Sequence, residues 1–162
     1  MSPIITAQQP NTADAMQLIA ELDDHLNPLY AAKSRHGYSV EKLIAEAVVF
    51  FVLRCDGLPA GCGGIKFYDE ASGEKSSEQY GEVKRMYVRP QFRGLGLSKL
   101  LLNHLEAVAQ SRGITCVRLE TGIYQPEALG LYERMGYYRI PPFGPYQPDP
   151  VSLCYEKKLF AD

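Results

Sequence analysis

The sequence predicts an α/β fold: a mixed, mostly antiparallel central sheet flanked by helices. Two observations predict it. An early pair of apolar runs, "VVFFVLRC" and "AGCGGIKFYD", is joined by the turn "DGLP", and strand and helix patterns alternate through the second half. The chain has 162 residues, 46% of them hydrophobic, which suits a single domain over 1–162 with a real core.

Each element has its own signal. "IITA" reads as a first strand. A helix begins near Asn11 or Thr12 as N-cap, with Met16, Ile19, Ala20 and Asp23 at helical spacing. "SVEKLIAEA" is a second helix capped by Ser39, and the hairpin over Val48–Asp69 follows. The polar segment Glu70 to Gln79 is a loop. "YGEVKRMYV" is a strand whose alternation puts Glu82, Lys84 and Met86 on one face and Val83, Arg85 and Tyr87 on the other. A helix from Leu97 to Arg112 carries Leu97, Leu100, Leu101, Leu105 and Val108 on its dry side, and Lys99, Asn103, Glu106 and Gln110 on its wet side. His104 falls at the edge of the dry stripe. "TCVRLETG" is a strand, "QPEALGLYERMG" a helix framed by Pro126 and Gly136, "YYRI" a short strand, "PPFGPYQPDP" a loop and "SLCYEKKL" the last strand.

Composition excludes several classes. A net charge of -2 gives no basic field for nucleic acid. The N-terminus lacks the charged and apolar succession of a signal peptide, and no apolar run approaches the ~20 residues of a membrane span. Cys55, Cys62, Cys116 and Cys154 are widely spaced, with no metal-ligand pattern. They read as buried reduced thiols of a cytoplasmic protein.

The stretch "VRPQFRGLGLSKLL" puts Gly94 and Gly96 beside Arg93, just where a helix starts. A helix start presents unpaired N–H groups and about half a positive charge. Small residues let those groups approach an anion, most simply a pyrophosphate. The spacing is neither GxGxxG nor GxxxxGK[ST], so dinucleotide and P-loop folds are disfavoured. A plain glycine turn before a helix satisfies the same letters.

Two landmarks then bear on one family. The pattern Q/R-x-x-G-x-G/A is met by Gln91, Gly94 and Gly96, and again by Arg93, Gly96 and Ser98 with serine in the last small position. Downstream, "ALGLYERMGYY" (Ala128 to Tyr138) matches A-x-x-L-Y-E-x-x-G-F/Y. The segment Glu82 to Tyr138 thereby resembles the GNAT superfamily of acetyl-CoA-dependent N-acetyltransferases.

The resemblance implies a sheet splayed between the fourth and fifth strands, Glu82–Val88 and Thr115–Thr121. It implies acetyl-CoA as co-substrate and no metal. The pantetheine arm would pair near Met86, Tyr87 and Val88, and the pyrophosphate would lie on Arg93, Gly94, Leu95, Gly96, Leu97, Ser98 and Lys99. Gln125 stands where the family often has asparagine, as a further cofactor contact. Tyr132, the tyrosine of "LYE", is implied as the acid that protonates the departing thiolate. Spacing alone favours a core tyrosine, and the resemblance is what turns the reading towards an acid.

Glu82 is the candidate base and Glu120 its rival. Tyr30 and Tyr146 lie on segments expected to line the acceptor cleft, where Glu120 is also a candidate contact. The expected reaction moves acetyl to a primary amine of a small molecule by direct attack in a ternary complex. A peptide N-terminus or lysine acceptor, and a non-catalytic acetyl-CoA sensor, are the alternatives. Many relatives dimerise, so a homodimer is compatible.

Overall fold

The computed structural model describes residues 2–73 and 78–159. In chain order the elements are β1 (Pro3–Ala7), α1 (Ala13–Leu26), α2 (Val40–Ala45), β2 (Val49–Cys55), β3 (Leu58–Tyr68), β4 (Tyr80–Val88), α3 (Leu97–Ser111), β5 (Cys116–Gly122), α4 (Pro126–Arg134), β6 (Tyr138–Ile140) and β7 (Ser152–Lys158). They build a seven-stranded sheet in the order β1-β2-β3-β4-β5-β7-β6. Every described pairing is antiparallel except β4 with β5. The predicted α/β fold, with its mostly antiparallel sheet, is the one observed. Of the predicted loop Glu70–Gln79, residues 74–77 lie outside the described residues, and Glu70–Ser72 forms a 3-10 turn capped by Asp69.

The two sheet faces are covered differently. Along β2, Phe50 and Val52 pack beneath α1 and α2, whereas Phe51 and Leu53 pack beneath α3. That division is the period-two geometry of a strand buried on both sides. The Thr12 side chain accepts from the Ala15 N–H, and the Ser39 side chain accepts from the Lys42 N–H. Each cap contributes about 1 kcal/mol.

The helix stripes shift from those read in the sequence. In α1 the buried residues are Ala15, Leu18, Ile19 and Leu22, and Met16 is exposed. Of the predicted stripe only Ile19 is fully buried, because the helix turns its alanine and leucines inward and leaves Asp23 at the rim. In α3, Leu100 is exposed and Glu106 is buried. Glu106 tolerates burial because it accepts from the Tyr137 hydroxyl at 2.8 Å and from Lys157 at 3.0 Å. His104 presents its ring to Phe51 at 4.5 Å, and burial lowers its pKa. All four cysteines are free and buried. Gly130 is not a tight crossing point, since an added Cβ would meet only the Arg134 guanidinium of its own helix.

Candidate active site

Pairing between β4 and β5 is confined to Gly81 with Val117 and Glu82 with Arg118. Beyond that point the strands part, so the sheet is splayed where the sequence placed the opening. A bulge in β4 accompanies the parting. Gly64 pairs with Lys84 and Cys62 with Tyr87, so β4 spends one more residue than β3 over this interval. Arg85 absorbs the excess at a φ of 56°. A left-handed backbone at a non-glycine residue costs about 1–2 kcal/mol.

The bulge overturns the expected alternation. Val83, Met86 and Val88 pack towards α3. Lys84, Arg85 and Tyr87 instead reach towards α1 and Tyr38: Arg85 to Asp23, Tyr87 to Glu21, and Lys84 onto the Tyr38 ring. Met86 therefore does not share a face with Lys84, because the extra residue flips the register of everything after it.

On the α3 face a groove of about 1010 Å³ runs between the β4–α3 loop and α4. Gly94 and Gly96 hold φ values of 80° and 75°. An added Cβ on either would meet nothing within 4 Å. It is therefore the left-handed backbone, and not crowding, that calls for glycine here. None of the backbone N–H groups from Gly94 to Lys99 donates to an acceptor among the described residues. No side chain caps α3. The arrangement fits a diphosphate: open space, unused backbone donors and the positive end of a helix.

Arg93, Ser98 and Lys99 line the groove near these donors, and Met86, Tyr87 and Val88 line it along the splayed strand. Leu97 also lines it, while Leu95, half exposed, does not.

On the other face a cavity of about 320 Å³ lies between the splayed strands, α1 and the segment 30–38. Leu22, Met86, Gln125 and Tyr132 line both spaces, so groove and cavity meet through the opening in the sheet. Ala128, Leu131, Tyr132 and Met135 face the core, as their spacing predicts. The Tyr132 hydroxyl has no hydrogen-bond partner among the described residues. Burial and the nearby Glu120 charge push its pKa up to about 12, so it stays protonated.

Gln125 occupies the position before α4, and its Oε1 accepts from the Tyr30 hydroxyl at 3.1 Å and the Gly122 N–H at 3.2 Å. The Tyr30 hydroxyl accepts in turn from the Tyr124 N–H at 3.1 Å. A Cβ on Gly122 would fall 1.8 Å from that hydroxyl, so glycine there is what lets Tyr30 seat against the β5–α4 turn.

The two candidate carboxylates differ in access. Glu120 lines the cavity, accepts from the Ser152 hydroxyl at 2.6 Å, and has its pKa raised, chiefly by burial. Glu82 is 1% exposed and lies beneath the floor. Its Oε2 accepts from Lys84 at 2.8 Å and from the Tyr146 hydroxyl at 2.5 Å, while Oε1 is buried without a partner among the described residues. Tyr146, a predicted acceptor contact, does line the cavity. Burial lowers the Lys84 pKa against the pull of Glu82.

Sequence reasoning did not single out Lys84, Arg85, His36 or Tyr38, which also line the cavity. Lys84 and Arg85 are brought there by the bulge, which no residue pattern announces, and His36 and Tyr38 by the fold of the segment 30–38. Among the described residues no cluster of His, Cys, Asp and Glu could hold a metal ion, and no helix is long and apolar enough to cross a membrane.

Known proteins share this architecture. Residues 17–137 match the model of the Acetyltransferase (GNAT) family. An IAA acetyltransferase of Azospirillum brasilense is 40% identical over 155 residues, covering 96% of this chain and 97% of its own. A crystal structure from Klebsiella pneumoniae, assigned to the acyl-CoA N-acyltransferases, superposes with a TM-score of 0.79 at 38% identity over 98% of both chains. The PaiA N-acetyltransferase of Thermoplasma acidophilum, solved with coenzyme A, has the same fold, with a TM-score of 0.73 at 20% identity over 98% of this chain and 99% of its own. A splayed sheet, an uncapped glycine-led helix and a buried tyrosine at their junction thus accompany a family match over most of the sequence, and the chain belongs to the acetyltransferases of the GNAT family.

Proposed function

We propose that the protein transfers acetyl from acetyl-CoA to the primary amine of a small molecule by direct attack in a ternary complex. One observation carries this reading: a groove sized for a nucleotide-bearing thioester and a small separate cavity meet at Met86 and Tyr132. The diphosphate would rest on the N–H groups from Gly94 to Lys99, with Arg93 and Lys99 adjacent. The acyl thioester supplies the activated acetyl group at the junction. A cavity of about 320 Å³ suits a small ligand, whereas a peptide needs an extended groove. No cysteine lines either space, which favours direct attack over an acyl-enzyme. The free buried thiols suit a cytoplasmic setting.

The chemistry divides among three side chains. An alkylamine with a pKa near 10.4 costs about 4 to 5 kcal/mol to deprotonate at pH 7. Glu120, in the cavity wall, takes one proton from the ammonium and so frees the nitrogen lone pair that bonds to the acetyl carbon. As the carbon–sulfur bond breaks, Tyr132 gives its hydroxyl proton to the sulfur, and the proton shed by the new amide nitrogen restores the tyrosine. Glu82 holds Lys84 and Tyr146 in place from below.

Acetyl-CoA offered with a panel of small amines should release free CoA in proportion to N-acetylated product. CoA binding with no release across the panel would instead mark a non-catalytic acetyl-CoA sensor. The base assignment is tested by pH. A carboxylate base works when ionised, so the rate should rise with pH through the raised Glu120 pKa. Glu120→Gln should lower kcat/KM about a hundredfold and remove that acidic limb, leaving only the amine's own ionisation. Persistence of the limb in Glu120→Gln and its loss in Glu82→Gln would move the role to Glu82.

A further inference from the structure

We propose that the acceptor carries a carboxylate in addition to its amine, and that Arg85 receives that carboxylate. The inference rests on the cavity being the acceptor site of a small-molecule N-acetyltransferase, and it goes further by naming the acceptor's second functional group.

A regular strand sends consecutive side chains to opposite faces. The bulge cancels that rule for one pair, and Lys84 and Arg85 both line the cavity. Their side chains are 6% and 3% exposed. Left-handed strain at a non-glycine residue persists only where the surroundings over-determine it, and such strain clusters at ligand sites. Here it delivers a second cation to one small space.

One of the three lining cations lacks a carboxylate partner. Lys84 is matched by Glu82 beneath the floor, and Arg85 by Asp23 at the rim. Arg35 also lines the cavity, and its guanidinium donates to two backbone carbonyls, Tyr30 at 2.9 Å and Asn27 at 2.8 Å. It has no carboxylate partner among the described residues. The remaining lining carboxylate, Glu120, accepts from Ser152 and is paired with neither arginine among the described residues. A ligand carboxylate would complete the pairing.

Arg85 is the specific receptor because one of its donors is unused. Its Nη2 donates to Asp23 at 2.5 Å and to the Ile19 carbonyl at 3.4 Å, whereas its buried Nε–H has no partner among the described residues. A buried donor without an acceptor is costly, and a ligand oxygen relieves it. The planar guanidinium matches a carboxylate. Arg85 stands on β4 towards α1, and Glu120 stands on β5 beside Tyr132. An acceptor with its amine at Glu120 and its acid at Arg85 spans the cavity, which describes an amino acid or a close analogue.

The test compares the common L-amino acids with their carboxamides as acceptors at saturating acetyl-CoA, following CoA release. For the best acid, kcat/KM should exceed that of its own carboxamide by roughly a hundredfold, the scale of a charge-assisted pair with the guanidinium replaced by a neutral hydrogen bond. In Arg85→Met this ratio should collapse towards unity, and Arg85→Lys should keep part of it. Calorimetric binding of CoA reports that each variant is folded. Equal rates for acids and carboxamides in the unaltered protein would overturn the carboxylate while leaving the acetyltransferase reading standing. An unchanged ratio in a CoA-binding Arg85→Met protein would overturn the role of Arg85. Absence of turnover with any small amine, with CoA still bound, would remove the underlying reading and this inference with it. The ratio in the unaltered protein decides the carboxylate even if Arg85→Met fails to fold.

Discussion

Tyr132→Phe is expected to lower kcat by about 10²- to 10⁴-fold, the range of a positioned general acid, while the dissociation constant for CoA barely moves. Geometry separates the two effects. The ring is 7% exposed and packs 5.9 Å from Tyr137, so phenylalanine fills the same volume. The hydroxyl has no partner among the described residues, so its removal leaves no acceptor stranded in the resting protein. Thermal stability should therefore be little changed, in contrast to a tyrosine whose hydroxyl ties down a carboxylate, such as Tyr137 on Glu106. What is lost matters only when negative charge gathers on sulfur. The loss should then fall on kcat, with the acceptor KM largely preserved. Burial holds the tyrosine pKa at about 12. The activity should accordingly show no alkaline fall from this group below that pH. A Tyr132→Phe enzyme retaining full kcat would show that the thiolate leaves without this proton.

Much of this site was legible in the sequence because its parts depend on short-range rules. Gly94 and Gly96 ahead of an apolar helical stripe marked a turn and a helix start, and the structure adds that the turn is left-handed. The i, i+3, i+4, i+7 set from Ala128 to Met135 turned Tyr132 inward. Both follow from backbone geometry over a few residues. The smaller cavity was less legible, for a physical reason: a single extra residue in β4 reverses the facing of every side chain after it. Alternation placed Lys84 with Met86, whereas the bulge at Arg85 groups Lys84 with Arg85 and turns Met86 to the other face. A bulge is a register mismatch between two strands, set by β3 as much as by β4, so no window of one strand reveals it. The different access of the two carboxylates also depends on how two strands pair. Glu82 sits in the pairing interval before the splay and is sealed in, while Glu120 lies past it and faces the cavity. The helix stripes erred for a different reason. Spacing alone does not tell how far a helix face is covered, so Leu100 stays exposed, while a glutamate with two donors is buried, as Glu106 is.

Gly96→Val should weaken CoA binding by about a hundredfold or more, with a much smaller loss of folding stability. Valine at a φ of 75° is strained, because the left-handed region costs an L-residue about 1–2 kcal/mol and a β-branched one more. The new side chain would meet nothing within 4 Å in the protein itself. The chain can therefore fold, but the loop relaxes from the conformation that aims its N–H groups at one point. Each charge-assisted hydrogen bond misaimed at a diphosphate forfeits about 1.5–3 kcal/mol, so two such losses exceed a hundredfold in affinity. Strain and ligand contact are separable because α3 has a matched glycine at its other end. Gly113 holds a φ of 79°, also with nothing within 4 Å of an added Cβ, and lines neither space. Gly113→Val carries the same backbone penalty without touching the donors. Calorimetry with CoA should show the Gly113 variant binding as the unaltered protein does, at a comparably lowered melting temperature, and the Gly96 variant failing to bind. Equal affinities in the two variants would mean that the helix start does not hold the diphosphate.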